Sequence, residues 1–233
     1  MDSMENITLD EDEELVSFDI KALFTSIPLE EAIKICEQRL RDDVSLAERT
    51  QLTADTVIRL LRFCLMNSAF QYNGVHYRQK DGIAMGSPVS PAIADIFMNE
   101  LESRAFAKYP EPPRLWKRFV GDVLSIVKRG KVERLCQYLN DQHPHINFTI
   151  EEERDGVLPL MDMKFERRKD GVQRREVYQK PTDTNRYIQF DSNYADTVKS
   201  GVIEGLVNRA KTVCSAHKAY REELERVTTV LGE

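Results

Sequence analysis

The chain is poor in the features that mark several large protein classes. Its 233 residues include four cysteines, Cys36, Cys64, Cys136 and Cys214, and no Cys-x-x-Cys pair. That argues against a disulfide scaffold or a zinc framework and for isolated, buried thiols in a reducing compartment. The four histidines, His76, His143, His145 and His217, show no ligand spacing either. No apolar run approaches the roughly 20 residues of a membrane span. The start Met1-Asp2-Ser3-Met4-Glu5 is not a signal peptide, so an intracellular location, nuclear or cytoplasmic and without a membrane, is expected. Repeats and low-complexity tracts are lacking.

An excess of basic charge is also missing, since the net charge is -6. Its distribution matters more than its sum. Asp2, Glu5, Asp10, Glu11, Asp12, Glu13 and Glu14 are unopposed by any base in the first 14 residues, which leaves the rest of the chain close to neutral. Residues 104–134 carry nine Lys or Arg against Glu111, Asp122 and Glu133, and residues 160–221 carry thirteen against eight acids. Two such stretches can follow a phosphate backbone, although charge alone fits ordinary solvated faces equally well.

What is present is a core and an order of elements. A hydrophobic fraction of 41% with 31% charged residues suits a folded, water-soluble chain. Glu14 to Ile20 reads as a strand entering a core. Pro28 opens a helix carrying Leu29, Ile33, Cys36 and Leu40 on one face, and Thr53 caps another that runs through Val57, Leu60, Leu61, Cys64 and Leu65. Asn73-Gly74 closes a hairpin over Phe70 to Tyr77. Ser87-Pro88 starts a helix through Ala92, Ile93, Ile96, Phe97 and Leu101. Trp116 to Val120 and Val123 to Val127 form a hairpin about Gly121-Asp122, and Lys131 to Gln142 is an amphipathic helix. Strands are expected at Asn147 to Glu152, Leu160 to Arg168 and Gln173 to Gln179. The end is helical from about Ala195, with Val198, Val202, Leu206 and Val213 inward. The central order, strand, helix, hairpin, helix, strand, predicts an α+β fold with a ferredoxin-like (split βαβ) antiparallel sheet and helices on one face.

The chemistry-bearing residues fall at the edges of that sheet. Nucleotidyl transfer uses two metal ions roughly 3.5–4 Å apart, held by carboxylates from separate strands. Asp19 ends a strand and Asp122 lies at a hairpin turn, so neighbouring strands would project both from one end. Phe24 follows Asp19 by five residues, where a ring fills the space of a ribose 2′-hydroxyl. Gly82 and Gly86 in Gln79 to Pro91 allow close backbone approach, and a helix beginning at Ser87-Pro88 offers free N–H groups to phosphate.

Together these segments resemble a reverse transcriptase of the Penelope-like retroelement type. Ser17-Phe18-Asp19-Ile20-Lys21-Ala22-Leu23-Phe24-Thr25-Ser26-Ile27-Pro28-Leu29 is similar to the first palm motif, and Gly82 to Pro91 to the second. Phe119-Val120-Gly121-Asp122 stands where the family has Tyr-x-Asp-Asp. Leu158 to Met163 and Tyr178 to Tyr187 resemble later palm and primer-grip segments. The likeness runs from about residue 14 to 217. It implies a polymerase palm over residues 14–190 with a partial fingers insertion, after an acidic lead-in at 1–13 and before the helical start of a thumb at 191–233. It implies RNA-directed DNA polymerase activity with Mg²⁺ (or Mn²⁺), an RNA template, a DNA primer and deoxynucleoside triphosphates. Asp19 and Asp122 would be catalytic metal ligands, and Phe24, Gln79 and Gly86 would contact the nucleotide. Lys180 and Arg186 would contact nucleic acid. Fingers, thumb or nuclease parts of a longer element are implied as partners.

One departure weakens that expectation. Gly121 occupies the position of the first aspartate of the pair, and losing such a ligand costs about a thousandfold or more in rate. The alternative is a nucleic-acid-binding or structural remnant without turnover.

Overall fold

The structure, a computed structural model, describes residues 8–151, 153, 157–167 and 173–232. Residues 1–7 of the acidic lead-in, and Glu152 and Arg168 at two expected strand ends, lie outside the described residues.

The chain opens on strand β1 (Glu13–Ile20), helices α1 (Leu23–Ser26), α2 (Leu29–Asp42), α3 (Leu46–Arg49) and α4 (Ala54–Met66), and strands β2 (Ala69–Tyr72) and β3 (Val75–Arg78). Helix α5 (Ser90–Phe106) leads to strands β4 (Leu115–Phe119) and β5 (Asp122–Lys128), helix α6 (Val132–Asn140) and strand β6 (Phe148–Glu151). Strands β7 (Val157–Leu160), β8 (Met163–Arg167) and β9 (Gln173–Val177) precede helices α7 (Asp196–Val213) and α8 (His217–Leu231). The main sheet runs in the order β4-β5-β1-β6, the split βαβ order that the sequence predicts. The class is therefore α+β. Among the described residues no helix is long and apolar enough to cross a membrane.

Contacts divide the chain into two compact units, Phe18–Val123 with Gly130–Ile150, and Met1–Ser17 with Leu124–Arg129 and Glu151–Glu233. The core of the first is aromatic. Trp116 packs against Phe18 at 5.4 Å, Phe106 at 5.0 Å and Phe148 at 6.2 Å between ring centroids. Phe18 and Phe148 are buried and Trp116 and Phe106 half-buried, while Ile93, Phe97, Met98 and Leu101 of α5 and Ala32, Ile33 and Cys36 of α2 are buried. Asn140 fixes the start of β6, since its Oδ1 accepts from Phe148 N at 2.6 Å and its Nδ2 donates to Phe148 O at 3.1 Å. Thr53 caps α4 as expected, accepting from Thr56 N.

In the second unit β7, β8 and β9 form an antiparallel meander in which Leu158 pairs with Phe165 and Phe165 with Arg175. Ser215, between α7 and α8, ties the helices to β9 by accepting from Arg175 N at 2.9 Å and donating its own N–H to Arg175 O at 3.1 Å.

Several expectations need correction. The strand expected from Leu160 starts later, as β8 (Met163–Arg167), because Met161 takes φ 53 and turns the chain after Leu160, which ends β7. The second-motif helix begins at Ser90, not Ser87, with Pro91 in its first turn. Helix α4 buries Ile58 and Leu65 but exposes Leu60, Phe63 and Cys64, so Cys64 is not the buried thiol expected. In the terminal helices Val198 is exposed, while Leu206, Ala210 and Val213 are buried before α7 ends at its C-cap, Cys214.

Candidate active site

The end of β1 and the β4–β5 turn meet at a backbone hydrogen bond, Ile20 N to Gly121 O at 2.9 Å. Lys21 N donates to Asn147 O at 2.9 Å, and Thr149 Oγ1 donates to Asp19 O at 3.3 Å. The strand end bearing Asp19 is thus pinned on two sides, while the Asp19 residue itself stays half-buried.

The turn differs from the sequence reading. Its two residues are Val120 and Gly121, and Asp122 is the first residue of β5. Closing the hairpin there lets Val123, Leu124, Ser125, Ile126 and Val127 form one continuous buried run. The left-handed conformation falls on Val120, at φ 56, and not on the glycine beside it. A β-branched residue is costly in that region. Gly121 is therefore not the residue that satisfies the turn.

There is also room for a side chain at position 121. A Cβ there would lie 3.6 Å from Ile20 O and 3.8 Å from Asp19 Oδ1, ordinary van der Waals contact. A carboxylate built on that carbon would stand beside Asp19. Gly82 behaves oppositely. It has φ +71, and a Cβ would come 2.5 Å from Thr25 Cα and 2.7 Å from Thr25 O. Ile83 N also donates to Phe24 O at 2.8 Å. The close approach that Gly82 permits is to the first-motif backbone, and it brings the second-motif loop against half-buried Phe24. Gly86, at φ +88, is exposed with nothing within 4 Å of a Cβ, and Gln79 turns its side chain back onto Asp81 O at 2.8 Å.

Arg118 was legible only as one member of a basic stretch, yet its side chain is 4% exposed. It donates to Glu102 at 2.7 Å, Asn99 Oδ1 at 2.7 Å, Asp95 at 3.0 Å and the Val120 carbonyl at 3.4 Å. It joins α5 to the strained turn and is spent there, not offered to phosphate. Burial pushes the Glu102 carboxyl up, against the lowering pull of Arg118.

Lys180 and Arg186 belong to the second unit. Both are exposed, in an irregular segment where Asp183 N donates to Lys180 O at 2.9 Å. Arg186 lines a groove of about 1160 Å³ with Tyr187, Phe190, Tyr194 and Lys199.

The donor set is short of a two-ion centre. Asp19 and Asp122 are two carboxylates, residue 121 adds none, and among the described residues no group of three or more His, Cys, Asp or Glu side chains could hold a metal.

Solved structures define the fold. Telomerase from Candida albicans, in complex with a fragment of telomeric RNA, matches 99% of this chain at TM-score 0.62 and 11% identity, over 39% of its own length. Apo telomerase from Candida tropicalis matches 99% at TM-score 0.57 and 10% identity, over 42% of its length. The RNA-dependent RNA polymerase of a human picobirnavirus matches 94% at TM-score 0.58 and 13% identity, over 42%. The fold is that of a reverse-transcriptase-like polymerase, and the chain spans well under half of those polymerases. An animal helix-turn-helix domain model matches residues 186–233, the segment of α7 and α8. No curated protein matches the sequence.

Proposed function

We propose that the chain is a reverse-transcriptase domain of the Penelope-like retroelement type whose nucleotidyl transfer is impaired by Gly121. The observation that carries this reading is the pairing of Asp19 with a position that accepts a side chain but has none, 3.8 Å from Asp19 Oδ1 to the missing carbon. A glycine demanded by the turn would explain itself, and this one is not demanded.

Asp19 and Asp122 are the remaining ligands for Mg²⁺ or Mn²⁺. Phe24, Gln79 and Gly86 face the nucleotide, and Lys180 and Arg186 contact the primer–template. The fold's kinship with polymerases supports an RNA template, a DNA primer and deoxynucleoside triphosphates as partners, together with further parts of a longer polymerase. Residues 14–190 then serve as palm with partial fingers, and 191–233 as the first thumb helices.

Primer extension on an RNA template with Mg²⁺ and Mn²⁺ tests the reading. Wild type is expected to be silent or at least about a thousandfold slower than Gly121→Asp. Asp19→Ala in the Gly121→Asp background should abolish the gain. Brisk extension by wild type that Asp19→Ala removes would refute the impairment. A second reading, nucleic-acid binding without turnover, is favoured by the short carboxylate set itself. Salt-dependent binding by wild type with no extension by Gly121→Asp would select it. Absence of both would leave a structural remnant.

A further inference from the structure

The hairpin β2–β3 carries an uncovered aromatic face. Its register pairs Phe70 with Tyr77 and Tyr72 with Val75, so these four side chains share one face of the ribbon. Their exposures are 55%, 44%, 65% and 52%, and Phe70 and Tyr77 stack at 5.5 Å with an interplanar angle of 16°. The opposite face holds Ala69, Gln71, His76 and Arg78. A two-stranded ribbon normally turns its apolar face inward, and here both faces are exposed. The ribbon is nonetheless held firmly. Asn73 and Gly74 supply the positive φ angles of its turn, at 48° and 77°. Arg78 donates twice to Met66 O, at 3.0 and 2.8 Å, and Gln79 N donates to Ser68 O at 3.0 Å.

We propose that this face is a stacking platform for an unpaired RNA strand. Three of its four residues are aromatic rings, and every base offers a π-face on which such a ring can stack. Charge points the same way. In a chain with 39 acidic residues, no Asp or Glu occurs between Asp55 and Asp81, while Arg59, Arg62, His76, Arg78 and Lys80 all do. Arg62 is paired with Glu30 at 2.5 Å and Arg78 is held by Met66 O, so the charge offered to a phosphate comes from exposed Arg59 and Lys80. The platform is followed directly by the loop of Gln79 to Gly86, so a strand stacked on it leads toward the second motif. The choice of RNA rests on the function proposed above; the platform itself rests on the exposed rings.

The test is fluorescence anisotropy of a labelled oligo(U) RNA, titrated with the full chain at low salt, for wild type, Tyr72→Ala, Tyr77→Ala and Lys80→Gln. Each aromatic-to-Ala change is expected to weaken binding roughly tenfold, the size of one lost base stack. Tyr72→Phe should bind like wild type, because the ring and not the hydroxyl does the stacking. Lys80→Gln should flatten the salt dependence. Circular dichroism checks that the variants fold, and cross-linking by 5-iodouridine RNA should map to Phe70, Tyr72 or Tyr77. Unchanged affinity in both Ala variants, or cross-links confined elsewhere, would overturn the platform. So would an aromatic-dependent dimer in analytical ultracentrifugation, which would make a second copy the occupant. Tighter binding of the matching deoxy oligomer would overturn the choice of RNA. None of these outcomes depends on extension, so this proposal and the impaired polymerase can fail separately.

Discussion

Gly82 and Gly121 stand in the two loops of the candidate site, and they are glycine for different reasons. At Gly82 the backbone is left-handed and any Cβ would enter the backbone of Thr25. No other residue fits without moving α1. At Gly121 the backbone is not left-handed and a Cβ meets only ordinary contacts, while the left-handed residue of that turn is Val120. One glycine is required by the fold; the other is permitted by it. Glycine in a motif is therefore evidence of a geometric need only when the conformation and the space both ask for it.

The sharpest way to break that contrast is Gly82→Ala. Backbone overlap together with a positive φ should cost about 3 kcal/mol or more, read as a lowered urea midpoint. An unchanged midpoint would mean that the two glycines are equivalent after all. Arg118→Met comes next, with a loss of about 3 kcal/mol, because it leaves Glu102 buried without its main partner. Its pH dependence has a definite sign. A carboxyl raised in the folded state binds its proton more tightly there than when unfolded, so stability is present at low pH. It is lost as pH rises from the ordinary carboxylate range through the raised folded value. The variant should therefore fall further below wild type at pH 8 than at pH 5, and an equal deficit would deny the buried carboxylate its role. Val120→Gly should stabilise by about 1 kcal/mol, by placing a glycine where the left-handed residue is needed. Gly121→Ala has the smallest expected effect, within about 0.5 kcal/mol of wild type in thermal unfolding. A large loss there would show that the position is structurally closed and would remove the basis for restoring a carboxylate.

Sequence reading carried the sheet order because each connection has its own period and punctuation: the Asn73-Gly74 turn, the Thr53 cap and the apolar run of α5. It went astray where tertiary contact decides. Helix α4 has apolar residues all round, so its inward face was set by which neighbours it met, and Leu60, Phe63 and Cys64 were left outside. The β4–β5 turn was placed one residue late because glycine attracts a turn assignment, whereas the buried run from Val123 fixed the register. For the site, Asp19, Phe24 and the second-motif glycines were visible as residues, but the fit of Gly82 against Thr25 was not. Arg118 carried no sequence signal that separates it from its exposed basic neighbours, because burial in an ion-pair network is a property of the fold.

The chain has a single tryptophan, and it is half-buried Trp116, packed against Phe18, Phe106 and Phe148. Phe18 precedes Asp19 directly, and Trp116 lies on the strand that runs into the Val120-Gly121 turn. All tryptophan emission therefore originates in a cluster that adjoins Asp19 through Phe18 and the Val120-Gly121 turn through strand β4. The molecule carries its own optical gauge there: a red shift reports more water reaching that cluster.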